Sequence, residues 1–511
     1  MIKIIDNFLN KITMYRLVLY SLWVLFVYSI LLSAFGVLDF SPFAVLFSGL
    51  FIMTVCLATN KFITYFLNTP INSESVFITA LILFLIISPI SQDNTQSFFI
   101  LATFGSMLAM ATKYALAINR KHIFNPAAIG VAMVAIFYGI SASWWVATMW
   151  MMPVVLITGL LITRKTQRFD LVLAFLVTTF ILLVSKWYLG NTATNLGQAL
   201  YRSIFLSPIL FFAFYMLTEP LTTPPTRRLR IIYGILVGVL FSPNFNFGFY
   251  HSTPELALVI GNLFSYVISP KFKLFLFINN ISEIARDTYE FSFKKKQYIN
   301  FEPGQYMEFT IKDPLPDNRG NRRYFTIASS PTEKDFLLGV KYYSGASSFK
   351  LKLANLDDGD IVVASQLAGD FTMPKDPKKK LVFIAGGIAV TPFRSMIKYL
   401  IDTKEQRDIV LLYSNSTKDD IAYQNIFDQA RRVIGLRTIY SLTEKGQFAT
   451  RADFVNTQID KNLILKQIPD FRERVFYISG PISMVHFFRD VLYEMGVPRS
   501  QIKTDFFPGF A

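Results

Sequence analysis

The sequence predicts a multi-domain membrane protein: a bundle of about ten transmembrane helices, then an antiparallel β-barrel, then an α/β domain with a parallel sheet. Three observations predict it. Apolar runs near the ~20-residue length of a membrane crossing follow one another from Tyr15 to about Pro270. Short alternating strands replace them after Lys271. From Lys380 strands and helices alternate, as in βα units.

Composition agrees with this division and excludes several classes. The chain has 511 residues, of which 52% are hydrophobic and only 17% charged, too apolar for an ordinary soluble enzyme. Its 51 Phe exclude a disordered chain. The single Cys56 excludes a disulfide framework, and also an iron–sulfur cluster held within this chain, which needs about four ligands. Three histidines, His122, His251 and His486, cannot supply two bis-His haem sites. No metal site is expected.

The apolar runs lie near 15–36, 43–60, 74–92, 97–117, 127–142, 144–163, 169–187, 202–218, 231–248 and 255–270. Several are short, which predicts tilted or broken helices. The first is long and lacks a small-residue cleavage site, so a cleavable signal peptide is not expected. If the runs alternate from a cytoplasmic N-terminus, the cytoplasmic side holds Lys3, Lys11, Arg16, Lys61, Lys113, Arg120, Lys121, Arg164, Lys165, Arg168, Arg227, Arg228 and Arg230. The far side holds only Lys186 and Arg202. This bias predicts a multi-pass membrane protein with both termini in the cytoplasm. The net charge of +15 is then a matter of topology and membrane lipid, and no nucleic-acid partner is expected.

The expected domains are 1–270 in the membrane, 271–376 as the barrel and 377–511 as the α/β domain, divided at the MPKDPKKK linker. In the barrel, FEPGQYMEFTI alternates apolar and polar residues after a Pro-Gly turn. The strand containing Arg323, Tyr324, Phe325 and Thr326 offers a cation, an aromatic face and a hydroxyl, which are the needs of a flavin's pyrophosphate, ring and reactive nitrogen. A surface Arg beside a core Phe is the plainer alternative. Gly345, Ser347 and Ser348 precede a helical start, where backbone N–H groups and hydroxyls bind phosphate or simply cap. LVFIAGGIAVTPF brings Gly386 and Gly387 to a strand end and Thr391 and Pro392 into a helix, which suits a dinucleotide. Ser479, Gly480, Pro481 and Met484 repeat the strand, turn and helix arrangement.

In this order the four elements resemble the ferredoxin-NADP reductase family over about residues 272–511: RxYS at Arg323 to Thr326, GxxSxxL at Gly345, Ser348 and Leu351, GGxGxTP at Gly386 to Pro392, and CGPxxM at Ser479 to Met484. The resemblance implies FAD in the barrel, NADH or NADPH in the α/β domain, and Thr326 and Ser479 as the catalytic positions. Three positions depart from the family pattern: Phe325 for Tyr, Ala389 for the third Gly, and Ser479 for Cys. Ser414, Asn415, Ser416 and Thr417 follow LLYS, where related enzymes bind the adenosine ribose. Without an Arg there, NADH is favoured. The C-terminal DFFPGF brings Asp505 and Phe510 to where the family places an acidic residue and a ring over the flavin.

The segments ATKYALAINRKHIFNPAAIG (111–130) and MLTEPLTTPPTRRLRIIYGILVG (216–238), with Pro254, Glu255 and Asn262, resemble the membrane subunits shared by the sodium-translocating NADH:quinone reductase and the Rnf complex, NqrB and RnfD, over about residues 40–270. The resemblance implies FMN esterified to a Thr on the non-cytoplasmic side, and Thr194 of WYLGNTATNLGQAL is the matching residue. Asn191 stands where the family has Ser, and no Asp precedes it. His122 reads as a loop histidine, and Glu219 and Glu255 as helix caps.

Joined, the halves predict a membrane flavin oxidoreductase: electrons from cytoplasmic NAD(P)H pass by FAD to FMN in the membrane domain and on to quinone or an extracytoplasmic acceptor, with ion translocation and further electron-transfer subunits as open possibilities. The alternatives are an NAD(P)H:quinone reductase with a passive anchor, and a redox-gated transporter or channel.

Overall fold

The computed structural model describes residues 5, 8–9 and 12–505, apart from 68–72, 119–120, 190–194, 243–245, 248–249, 252, 270–272, 295–298, 313–320, 358 and 445–452. Thr194 and Phe510 therefore lie outside the described residues. Two compact units divide the chain, Met1–Lys271 and Phe272–Ala511.

The first unit is helical: α1 (Met14–Ala34), α2 (Pro42–Leu67), α3 (Ser73–Ile86), α4 (Thr95–Ala115), α5 (Pro126–Tyr138), α6 (Met152–Thr166), α7 (Phe169–Leu189), α8 (Leu196–Phe205), α9 (Ile209–Met216), α10 (Arg227–Phe241) and α11 (Pro254–Ile268). Exposed apolar stripes run along α2 (Phe43, Leu46, Leu50, Leu57) and α7 (Leu173, Val177, Ile181, Val184). Stripes of that length need lipid rather than water. Close backbone approach holds helix pairs together: a Cβ on Gly130 of α5 would lie 2.6 Å from the Gly105 carbonyl oxygen of α4, as at small-residue membrane interfaces.

The expected count of about ten transmembrane helices is not confirmed among the described residues. Four helices are long and apolar enough to span a membrane, α1, α2, α4 and α7, or five if α8 and α9 form one span bent by 52°. The shortening has local causes. Gly139, left-handed at φ 68°, ends α5 well short of a crossing. Pro208 stands at the break between α8 and α9, where a run at 202–218 was expected, and α9 continues as a π-helical turn over Phe212–Met216.

The second unit opens with a six-stranded antiparallel sheet: β1 (Lys273–Ala285), β2 (Thr288–Lys294), β3 (Tyr306–Thr310), β4 (Arg322–Thr326), β5 (Phe336–Lys341) and, after α12 (Ser348–Ala354), β6 (Ile361–Ala368). Its spatial order is β4-β3-β6-β1-β2-β5. The residues after β4 approach the other edge, with Ala328 N donating to the Leu337 carbonyl at 2.9 Å. Phe291, Phe293, Phe309, Phe336 and Phe349 fill the interior.

A six-stranded parallel sheet follows: β7 (Leu381–Gly386), β8 (Ile409–Asn415), β9 (Arg437–Leu442), β10 (Phe454–Val455), β11 (Val475–Ser479) and β12 (Ile502–Thr504), with helices α13 (Thr391–Thr403), α14 (Gln424–Ile434), α15 (Lys461–Gln467) and α16 (Ile482–Glu494) between strands. The spatial order β10-β9-β8-β7-β11-β12 reverses direction between β7 and β11. Buried strands of this kind read as unbroken apolar runs, and Leu381 to Ala385 are all fully buried.

Candidate functional site

Open α/β sheets bind ligands beyond the carboxyl ends of their strands, where the strand order reverses. Here that point is flanked by Gly386 and Gly387 after β7 and by Ser479 to Met484 after β11, and Ala385 pairs with Ser479 across it. Both turns require glycine. A Cβ on Gly386 would lie 2.4 Å from Met484 Sδ, one on Gly480 would lie 2.7 Å from the same atom, and Gly387 adopts φ 55°. Pro392 sits in the first turn of α13, directly after Thr391. On the neighbouring strand Ser414 pairs with Gly386. Beside it Asn415 is 5% exposed, and neither side-chain amide atom has a hydrogen-bond partner. The glycine cradle and this amide fit a nucleotide.

Ser479 is buried, and its Oγ donates to Asp505 Oδ2 at 3.0 Å. The serine in the cysteine position thus has a carboxylate partner, fixed by Asp505 N donating to the Ile478 carbonyl at 2.9 Å.

In the barrel, register separates the four residues of the flavin motif. Arg323 pairs with Phe309 and Phe325 with Met307, whereas Tyr324 pairs with Glu308 and Thr326 with Tyr306. Arg323 and Phe325 therefore share one face of β4, and Tyr324 and Thr326 the other. Phe325 is 9% exposed and packs 5.9 Å from Phe349. The Arg323 guanidinium lies 5.5 Å from the same ring. Phe349 belongs to the turn of α12, where Ser347 is the N-cap and accepts from Lys350 N at 3.3 Å, and Gly345 turns with φ 80° in open space. Two elements that are separate in sequence, the Arg323 strand and the Gly345 to Ser348 turn, thus meet at one place. Their donor set of a guanidinium, hydroxyls and a glycine turn fits a dinucleotide flavin.

The membrane unit brings its three singled-out segments together. His122 Nε2 lies 3.2 Å from Glu219 Oε1, and Asn125 Nδ2 and Thr222 Oγ1 donate to Glu219 Oε2 at 2.9 and 3.2 Å. Asn125 N donates to Asn262 Oδ1 at 2.8 Å, and Asn262 in turn donates to Tyr233 Oη at 2.9 Å. His122, Asn125 and Glu219 line a partly open pocket of about 80 Å³ that Tyr15, Thr79 and Tyr215 also wall. The π-helical turn over Phe212–Met216 contributes Tyr215 to this wall, and such turns cluster at functional sites. Glu255 lies apart from the cluster and accepts from Trp144 Nε1 at 3.1 Å.

The sequence presents His122 as a loop residue and Glu219 as a helix cap and does not show that they pair. Nor does it show Arg394 buried against Glu333. Neither pair has a local signal, because its members are far apart in the chain.

Comparison with known proteins agrees with both halves. Residues 148–273 match the NQR2, RnfD, RnfE family, and residues 383–490 match the oxidoreductase NAD-binding domain. The chain is 26% identical over 226 residues to flavohemoprotein A of Dictyostelium discoideum, covering 42% of this chain and 54% of that protein. It is 25% identical over 229 residues to a stachydrine N-demethylase reductase subunit of Rhizobium meliloti, covering 44% and 64%. The chain thus spans about half the length of the flavohemoprotein it matches. Among solved structures, the cytochrome b5 reductase domain of Ulva prolifera nitrate reductase aligns with TM-score 0.41 at 20% identity, covering 46% of this chain and 98% of that one. The chain joins a helical segment similar to the NQR2, RnfD, RnfE family, with four or five candidate membrane spans among the described residues, to an oxidoreductase domain like that of ferredoxin reductases.

Proposed function

We propose that this protein is an inner-membrane oxidoreductase that moves electrons from cytoplasmic NAD(P)H to an acceptor within or across the membrane, using FAD in the reductase unit and FMN in the membrane unit. The observation that carries this reading is the cavity walled by His122, Asn125 and Glu219. Two of the segments that mark the membrane unit in sequence line it, and the third is tied to its wall by the bond from Asn125 N to Asn262 Oδ1. A passive anchor has no use for a carboxylate and an imidazole held together among apolar helices, and such groups mark function.

FAD, when bound, supplies the ability to accept two electrons together and release them singly. The chain's own residues do the rest. Arg323, Thr326 and the Gly345 to Ser348 turn hold the flavin's phosphates and polar edge. Gly386, Gly387, Thr391 and Pro392 let the nucleotide approach the backbone, and Ser414 with Asn415 receives its ribose. Ser479, oriented by Asp505, sits at the carboxyl end of β11 where the nicotinamide is expected. No arginine stands at Ser414 to Thr417 to pair with a 2′-phosphate, so NADH is the preferred donor.

A flavin held without a covalent bond would lie against the wall of His122, Asn125 and Glu219, while Thr194 is the residue for attachment on the far side. In-gel fluorescence of denatured protein, with and without Thr194→Val, decides between them. Quinone or an extracytoplasmic carrier is the final acceptor, and coupling to Na+ or H+ follows from comparing turnover in sealed vesicles with and without an ionophore. A reductase with a passive anchor would hold one flavin per chain, and a redox-gated channel would conduct without net electron transfer.

A further inference from the structure

Within the reductase unit, the barrel and the parallel-sheet domain meet along a seam that no motif marks. Arg394 lies in it, 5% exposed, at the fourth residue of α13. Its guanidinium grips Glu333 with both terminal nitrogens: Nη2 donates to Oε1 at 2.9 Å, and Nη1 donates to Oε2. Nη1 also donates to the Ala328 carbonyl at 3.1 Å, and the guanidinium carbon lies 5.5 Å from the centroid of the Tyr423 ring. Ser395 repeats the attachment, its Oγ donating to the Ser329 carbonyl at 2.7 Å.

What these bonds join matters more than their number. Ala328 and Ser329 continue the strand that carries Arg323 to Thr326, while Thr391 and Pro392 open the helix that carries Arg394 and Ser395. Two adjacent residues therefore fasten the nicotinamide loop to the flavin-motif strand. Gly339 shows how close the contact is: a Cβ there would lie 2.7 Å from Tyr423 Oη and 2.9 Å from Thr391 Cγ2. A buried ion pair is a poor way to gain stability, because removing the charges from water offsets most of their attraction. Its directional, two-pronged geometry is instead a good way to fix register.

We propose that Arg394 is a positioning residue for hydride transfer, setting the separation of the nicotinamide from the flavin through Glu333 and Ala328. The inference rests on the reductase reading above. In the step it governs, a hydride, one proton with two electrons, leaves C4 of the dihydronicotinamide. A C–H bond breaks, an N–H bond forms on the flavin, the nucleotide is oxidised and the flavin reduced, and no further reactant is needed.

The test uses the full chain in detergent, with its flavin content measured, and the variants Arg394→Gln, Arg394→Lys and Ser395→Ala. Misplacement by about 1 Å costs on the order of 100-fold in rate. For Arg394→Gln we expect a loss of that size in anaerobic flavin reduction and a larger isotope effect with 4-deuterated NADH. Flavin content and NADH affinity should be unchanged, and Arg394→Lys should recover part of the rate. Amide hydrogen exchange should quicken in 328–337 and 391–403. An unchanged rate, or a rate and an NADH affinity that fall together, would overturn the proposal. If Arg394→Gln does not fold, Ser395→Ala is read the same way: slower transfer at unchanged affinity supports the proposal, and an unaltered rate overturns it. A wild-type protein whose flavin NADH cannot reduce would instead sink the underlying reductase reading.

Discussion

His122 and Glu219, 97 residues apart in the chain, meet at 3.2 Å on the wall of the membrane unit's cavity. Asn125 and Thr222 hold the same carboxylate, so it is oriented from both segments at once. A hydrogen bond to a charged group is worth about 1.5–3 kcal/mol, or roughly ten- to hundredfold in affinity. Glu219→Gln and His122→Ala are therefore expected to weaken retention of the second flavin to that extent. NADH-driven reduction of ferricyanide by the reductase unit should persist in both. Flavin content per chain, measured beside ferricyanide activity, checks this, and loss of both together would count against it.

Gly386 has no room for a side chain, because a Cβ would meet Met484 Sδ at 2.4 Å. Gly386→Ala should cost about 1–3 kcal/mol through overpacking and weaken NADH binding. Since the obstructing atom is the sulfur of a flexible side chain, Met484→Ala in the same chain should recover stability. Denaturant unfolding with nucleotide titration reads both effects, and an Ala variant that binds as wild type would remove Gly386 from the nucleotide site.

Ser416 is exposed just beyond Ser414 and Asn415, and the carboxylates of Asp419 and Asp420 follow it. Ser416→Arg places a cation where a 2′-phosphate would lie, as in nucleotide sites that accept NADP. A charge-assisted bond of the usual strength should improve the KM for NADPH by about tenfold. Steady-state kinetics with both nucleotides measures it, and an unchanged preference would mean that the ribose binds elsewhere.

Asp470 is held well below the ordinary carboxylate range by hydrogen bonds from Arg474, at 2.7 and 2.9 Å, and from Lys380 at 2.9 Å. Asp420 is also depressed: burial pushes its carboxyl up, but Lys341 at 2.9 Å and Thr417 outweigh it. Both groups bind protons more weakly folded than unfolded. Their stabilisation is fully present above about pH 4, the unfolded Asp value, and is lost as the pH falls below it. Glu290 has the opposite sign, since burial raises its pKa, and stability falls as the pH rises through that raised value. Asp470→Asn should flatten the acid side of a plot of unfolding midpoint against pH. An acid limb as steep as in wild type would contradict the assignment.

Much of the reductase unit was legible because its signals are local. Gly386, Thr391 and Pro392 lie within seven residues, and a buried strand announces itself as LVFIA. The meeting of Ser479 with Asp505 was half legible, since both positions had been noted but their contact depends on how β12 returns beside β11. The membrane unit was harder. Hydropathy located its helices but not their lengths, because Gly139 and Pro208 end or break helices inside runs that remain apolar. The motif at Arg323 to Thr326 names residues without assigning them to faces of β4; register puts Arg323 and Phe325 on one face and Tyr324 and Thr326 on the other.

The central claim is that electrons entering from NADH reach a second flavin in the membrane unit of the same chain. Its most direct measurement is an anaerobic NADH titration of the purified full-length protein, with total flavin quantified per chain and reduction followed spectroscopically. The account predicts two flavins per chain, both reduced by NADH, with the second lost or left oxidised in Glu219→Gln. One flavin per chain, or a second that stays oxidised in the wild type under excess NADH, would contradict it.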